Sequence, residues 1–313
     1  MKYTTLTLAL LFSALAFGQK NYTAEEVTIN PLVEGLLLLP ENNDPHTLAI
    51  IIQGSGPTDR NGNQPNMQNN SLKYLAEHLA DEGIASFRYD KRLVKLARRG
   101  DLKEEDIKFD DFIKDAGDIL EKFKQDKRFD TFVIIGHSQG SLVGMVAANN
   151  HGADGFVSIA GAGQEIDDVI VDQLQRQAPA LVDDARQSFD DLRVNGVAVK
   201  YGIGLASIFR PAIQPFMRTW MAYNPQTEIA KLDIPVLILN GTEDVQVDEN
   251  EAALLHKAKL GAEMYLIEGM NHVLKEIEAG DTIDNSKSYN EPNRPVMPEL
   301  LEKITTFIKQ LNN

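Results

Sequence analysis

Three apolar runs in this chain carry no alternation of apolar and polar residues: "TLAIIIQ" at 47–53, "TFVIIG" at 131–136 and "PVLILNG" at 235–241. An alternating strand has one wet face, whereas a strand without alternation is covered on both. Covering both faces of a sheet takes helices, and amphipathic segments follow at about 69–82, 109–126, 140–150, 248–259 and 298–311. Shorter strand-like segments at 25–29, 35–40, 84–89, 155–160 and 263–269 complete the set. The expected fold class is α/β, a mostly parallel sheet of about eight strands flanked by helices.

One interval breaks the rhythm. Residues 164–230 show no strand pattern, and a crossover between parallel strands needs far less chain. A helical cap is expected there, inserted into a core of residues 19–163 and 231–313. The polar stretch 280–295, "GDTIDNSKSYNEPNRP", reads as a surface loop before the last helix.

Composition removes several chemistries. The chain has no cysteine, which excludes disulfides, thiolate metal sites and a cysteine nucleophile. A formal net charge of −15 disfavours nucleic acid or an anionic membrane as partner. Near the N-terminus, Lys2 precedes an apolar run from Leu6 to Phe17, with Ala16 and Gly18 as small residues of a cleavage site. Residues 1–18 therefore read as a signal peptide, and an exported protein, periplasmic or extracellular, is expected to begin near Gln19. With no cysteine at the cleavage site there is no lipid attachment, so no stable membrane anchor is expected.

Chemistry enters at "TFVIIGHSQGSLVG", residues 131–144. Two glycines around a serine weaken any regular element, and a buried strand gains nothing from a hydroxyl at its end. The pattern G-x-S-x-G between an apolar strand and a helix is a nucleophile elbow, which holds Ser138 up at the tip of a sharp turn. A serine needs a base, and the base needs an orienting acid. Of six histidines, His46, His78, His137, His151 and His256 have ordinary readings as surface, cap or helix residues. His272 follows the last strand, at the sheet edge where Ser138 should emerge. The acid candidate is Asp244 in "LILNGTEDVQVD", with Glu243 adjacent and Asp248 placed to cap the helix after it. For the oxyanion, the turn Gly54-Ser55-Gly56 after a buried strand offers the Ser55 amide, which would join that of Gln139.

At this point the chain resembles the α/β-hydrolase family, in particular its secreted bacterial serine esterases and aminopeptidase-like hydrolases. The resemblance runs over nearly the whole mature chain and rests on "QGSGPTDRNGN", "FRYDKR", "GHSQGS", "NGTEDVQV" and "EGMNH". It implies Ser138 as nucleophile, Asp244 as acid in G-x-x-D-x-x-V and His272 as base in G-x-x-H, in the chain order of that family. Two departures stand out. Gln53 replaces the histidine common before the Gly-x-Gly turn, and "LVKLARRG" follows "YDKR" where relatives continue with a Gly-x-Gly-x-Ser loop bordering the site.

The function expected is cleavage of a small carboxylic ester through an acyl-enzyme, with no cofactor and no metal; the oligomeric state stays open. Phe216, Met217, Trp220 and Met221 of the cap are candidates for an acyl pocket, or else pack the cap onto the core. The alternative is an aminopeptidase-like, amide or thioester hydrolase with the same triad. In its aminopeptidase form, Glu165, Asp167 or Asp168 would bind a substrate ammonium. A non-catalytic binding protein on the same fold is a third class.

Overall fold

The computed structural model describes residues 21–41 and 47–311. The signal-peptide reading and His46 lie outside the described residues. Eight strands form one sheet: β1 (Tyr22–Asn30), β2 (Val33–Pro40), β3 (Thr47–Ile52), β4 (Ala85–Tyr89), β5 (Thr131–His137), β6 (Gly155–Ile159), β7 (Val236–Gly241) and β8 (Glu263–Ile267). Their order is β1-β2-β4-β3-β5-β6-β7-β8. β1 and β2 form a hairpin that joins β4 antiparallel, and from β4 to β8 every pairing is parallel.

Four helices precede the cap: α1 (Ser71–Asp81), α2 (Arg92–Arg99), α3 (Phe109–Phe123) and α4 (Gln139–His151). The cap carries α5 (Ile166–Gln177), α6 (Val182–Asn195), α7 (Ala206–Phe209), α8 (Gln214–Trp220) and α9 (Pro225–Ala230). Three follow: α10 (Glu249–Ala258), α11 (Thr282–Ser288) and α12 (Pro298–Gln310). No described helix is long and apolar enough to cross a membrane. β3 shows why its sequence does not alternate. Leu48, Ile50 and Ile52 pack with α3, α4 and α10, while Ala49 and Ile51 pack with α1 and α12 on the other face.

Two segments differ from expectation. "RLVKLARR" is a helix, α2, closed by Gly100 at a left-handed φ of 73° and tied down where Arg92 pairs with Asp111 and Asp115. The stretch 280–295 is not simply a loop. It contains α11, whose N-cap Asp281 accepts from the amides of Ile283 and Asp284 and whose Asn285 and Ser288 are buried. Polar composition reads as solvated loop, but here the polar groups find partners inside the protein.

Candidate active site

Ser138 stands between the end of β5 and the start of α4 with φ 54° and ψ −122°, a conformation that residues with a Cβ avoid. The surroundings hold it there. Its amide donates to the carbonyl of Ile159 (2.9 Å), and its carbonyl accepts from the amide of Ser141 (2.9 Å). The two motif glycines are needed for close approach. A Cβ on Gly136 would lie 2.3 Å from the Gly140 carbonyl oxygen, and one on Gly140 2.3 Å from that of Ile52.

His272 and Asp244 arrive on neighbouring loops. At the end of β7, Gly241 lets the Met270 backbone come so close that any side chain would collide with it. The Glu243 amide then donates to the Met270 carbonyl (3.0 Å), locking the acid loop to the histidine loop. His272 Nδ1 donates to Asp244 Oδ2 at 2.7 Å, which leaves Nε2 as the acceptor nitrogen. The other carboxylate oxygen accepts from the amides of Gln246 (2.8 Å) and Val247 (2.9 Å). Neither competing acid reaches the imidazole. Glu243 accepts from the Gly280 amide, and Asp248 caps α10 and pairs with Arg176.

Other contributors escaped the sequence reading. His137 donates from Nε2 to the backbone oxygen of His272 (2.8 Å); burial, with the neighbouring imidazole, holds it down at about 4, so its ring is neutral. Asn271 accepts from the Val273 and Lys275 amides and donates to Asn285 and Ser288 of α11. Asn285 in turn donates to the Glu243 carbonyl (2.8 Å), so α11 clamps both loops at once. Lys91 is buried at 3 % exposure and donates to the Gly54 carbonyl and to Gln139 Oε1 (2.7 Å). Burial pushes its ammonium down to about 7. Gln53 is also buried. It donates to the Tyr89 carbonyl (2.6 Å), tying the ends of β3 and β4 together, while its Oε1 has no partner.

Two cavities meet at Ser138, with Ser55 and Gln246 shared between them. The first, of about 260 Å³, is lined by His272 together with Thr58, Gln64, Asn69, Ser71 and Tyr289. The second, of about 220 Å³, lies under the cap against Gln139, Leu142, Ile166, Val169, Ile170 and Trp220. Gln139 is the first residue of α4, so its amide has no partner within that helix. Ser55 and Gln139 are thus both brought to Ser138.

The acyl-pocket candidates separate. Trp220 lines the cavity under the cap and also stacks on Phe109 of α3 at 5.5 Å between ring centres. Met217 and Met221 do not line it; they are buried in the cap's own cluster with Phe189, Leu192 and Phe209. Phe216 packs against Phe109 and Phe112, fastening cap to core. The apolar wall comes instead from Ile166, Val169 and Ile170, spaced i, i+3, i+4 on α5, a periodicity present in the sequence.

Comparison with known proteins follows the same lines. A family model described as "Serine aminopeptidase, S33" matches residues 66–198, a span that includes Ser138 and stops before Asp244 and His272. Esterase EstD of Thermotoga maritima is 25 % identical over 281 residues, which cover 84 % of this chain and 63 % of that protein. The chain thus matches somewhat less than two thirds of that relative's length. Among solved structures, Est1E from Butyrivibrio proteoclasticus superposes with a TM-score of 0.59 at 15 % identity, over 92 % of this chain and 98 % of that one. The Pyrococcus furiosus esterase Pf2001 gives 0.54 at 14 % identity, over 93 % and 91 %. At these identities the likeness to the solved structures shows the fold: this chain has the α/β-hydrolase fold, an eight-stranded, mostly parallel sheet flanked by helices.

Proposed function

We propose that the protein is a serine hydrolase that cleaves carboxylic esters through an acyl-enzyme on Ser138. The observation that carries this reading is the 2.7 Å bond between His272 and Asp244, beside a serine held on a strained elbow. Ser138 Oγ attacks the ester carbonyl and its proton passes to His272 Nε2. The carbonyl oxygen, now an anion, is met by the amides of Ser55 and Gln139. Collapse of the tetrahedral intermediate breaks the bond to the alcohol oxygen, which takes the proton from His272. Water, deprotonated by the same imidazole, then attacks the acyl carbonyl and frees the acid and Ser138. Asp244 keeps the proton on Nδ1 throughout.

Esters are favoured over aminopeptidase substrates because neither cavity is lined by a carboxylate. The cap acids are engaged elsewhere: Glu165 and Asp167 with Arg193, and Asp167 and Asp168 with Arg186. A substrate ammonium would have no counter-charge. The acyl group is placed in the apolar cavity under the cap. Export is proposed from the pattern of Lys2, the apolar run and Ala16–Gly18, and an N-terminus at Gln19 in protein from its native host would support it.

The test pairs a fluorophosphonate probe with a substrate panel. Labelling mapped to Ser138, with p-nitrophenyl esters turned over faster than aminoacyl anilides, is the expected result. Labelling elsewhere, or a wide preference for anilides, refutes the reading.

A further inference from the structure

We propose that the cavity beside His272 is the leaving-group site and that the alcohol it accepts is hydroxyl-rich, a small polyol or sugar-like group. This rests on the esterase reading above. The departing oxygen must collect its proton from His272 Nε2, so the alcohol half of the ester lies on the side of Ser138 where His272 stands. His272 lines only the first cavity, and Gln139, which carries an oxyanion amide, lines only the second. The acyl and alcohol halves are thereby assigned to opposite sides.

The two sides differ in chemistry. Under the cap an apolar surface of Leu142, Ile166, Val169, Ile170, Val247 and Trp220 faces the cavity, with glutamines 139, 164, 173 and 246 around it. Beside His272 the wall mixes apolar side chains, Met67, Leu72 and Val273, with a larger set of hydroxyl and amide groups, from Thr58, Gln64, Asn69, Ser71, Gln246 and Tyr289, and has no ammonium or carboxylate. Gln246 donates its amide to the Tyr289 hydroxyl (2.9 Å), which leaves that hydroxyl's own proton to donate onward. Thr58, Gln64 and Ser71 spend their donors on the Ser55 and Val273 carbonyls, but the Tyr289 proton and the Gln64 side-chain oxygen are left over; an alkyl alcohol would leave these unpaired and a polyol would meet them. The absence of fixed charge in the wall favours a neutral alcohol over a phosphorylated or cationic one.

The experiment compares 1-butyrylglycerol with propyl butyrate, which share an acyl group and an alcohol carbon count. The glycerol ester should show a kcat/KM at least about tenfold higher, and Tyr289→Phe combined with Gln64→Met should pull that ratio toward one. Equal rates, a preference for the propyl ester, or turnover of neither by an enzyme whose Ser138 takes the fluorophosphonate overturns the assignment. Failure of that labelling strikes the esterase reading first, and the assignment with it.

A different observation concerns Lys91. We infer that it is a positioning residue for the oxyanion amides. Its ammonium bonds the residue before Ser55 and the residue after Ser138, and so ties together the two backbone segments that supply them. It lies 4.6 Å from the centre of the Phe112 ring, and none of the ion pairs among the described residues includes it. A buried cation without a counter-charge is unfavourable at rest. An anion forming on those two amides supplies the missing charge only during reaction.

Lys91→Met should lower kcat at least about tenfold with KM little changed, since the charge it balances exists only in the transition state. Affinity for butylboronic acid, which forms a tetrahedral anion on Ser138, should fall by the same factor. The melting temperature should hold or rise. Lys91→Gln, which keeps a neutral donor, should fall between. Unchanged kcat and boronate affinity overturn the inference, and so does loss of the fold in both variants.

Discussion

The edge of the sheet that carries Ser138, Asp244 and His272 is held differently from the cap above it. At the edge, backbone meets backbone: the Ser138 amide on Ile159, the Glu243 amide on Met270, and glycines 136, 140 and 241 where a Cβ would collide. In the cap, side chain meets side chain: a small cluster around Phe189 and Phe209, Trp220 and Tyr223 against Phe109, and ion pairs from half-exposed arginines to Asp167 and Asp168. Backbone contacts of the first kind admit few substitutions, because nothing smaller than glycine exists and an amide cannot be replaced. Side-chain contacts of the second kind tolerate exchange of similar volumes. On the reading proposed above, reaction geometry rests on the part that cannot vary, and selectivity on the part that can.

That contrast can be broken most severely at Ser138. Ser138→Ala should reduce kcat by roughly 10⁴-fold or more with the circular dichroism spectrum unchanged, because triad members act as a unit. Residual turnover near the wild-type rate would mean that the edge is not the seat of reaction. Asp244→Asn comes next. It should cost about 10³- to 10⁴-fold by favouring the wrong imidazole tautomer, while Glu243→Gln and Asp248→Asn stay within a few-fold of wild type. A larger loss at either neighbour would place the acid elsewhere.

In the cap, the effect should be on selectivity rather than on turnover itself. For esters of straight-chain acids, kcat/KM should climb by about fourfold per methylene while the cavity fills, corresponding to ~0.8 kcal/mol each, then drop. Ile170→Phe should move the optimum to shorter chains; a profile unaltered by that substitution would take the acyl group out of this cavity. The smallest expected effect tests the α11 clamp on the acid and histidine loops of the edge. Asp281→Ala removes the α11 cap and should cost about 1 kcal/mol in urea unfolding, with a few-fold loss of kcat from looser Asn271 and Asn285. Unfolding unaffected by the substitution would mean that α11 needs no side-chain cap.

All eight strands, the five longer core helices and the cap interval were legible because each carries a period or a run that only one burial pattern satisfies. That Ser138, Asp244 and His272 follow β5, β7 and β8 was legible too, because their backbone contexts are local: a serine between glycines after a strand, and loops after β7 and β8. α2 and α11 were not legible. Their polar faces resemble solvated chain until one knows that Arg92 meets Asp115, or that Asn285 meets Asn271 and the Glu243 carbonyl, partners 23, 14 and 42 positions away in the chain.

The four cap candidates, read either as pocket or as packing of the cap, were not separable in the sequence for a related reason. Phe216, Met217, Trp220 and Met221 are the most apolar stretch of the cap, and apolarity alone does not say which neighbour a side chain covers. Met217 and Met221 turn into the cap's own cluster, Phe216 against α3, and only Trp220 reaches the cavity among the four. Lys91 was in plain view within "FRYDKR", yet nothing local marks a lysine for burial against Gly54 and Gln139. Period and turn chemistry act over a few residues and can be read along the chain. Which polar group loses its water, and what replaces it, depends on segments far apart in sequence, and is settled only when the sheet brings them together.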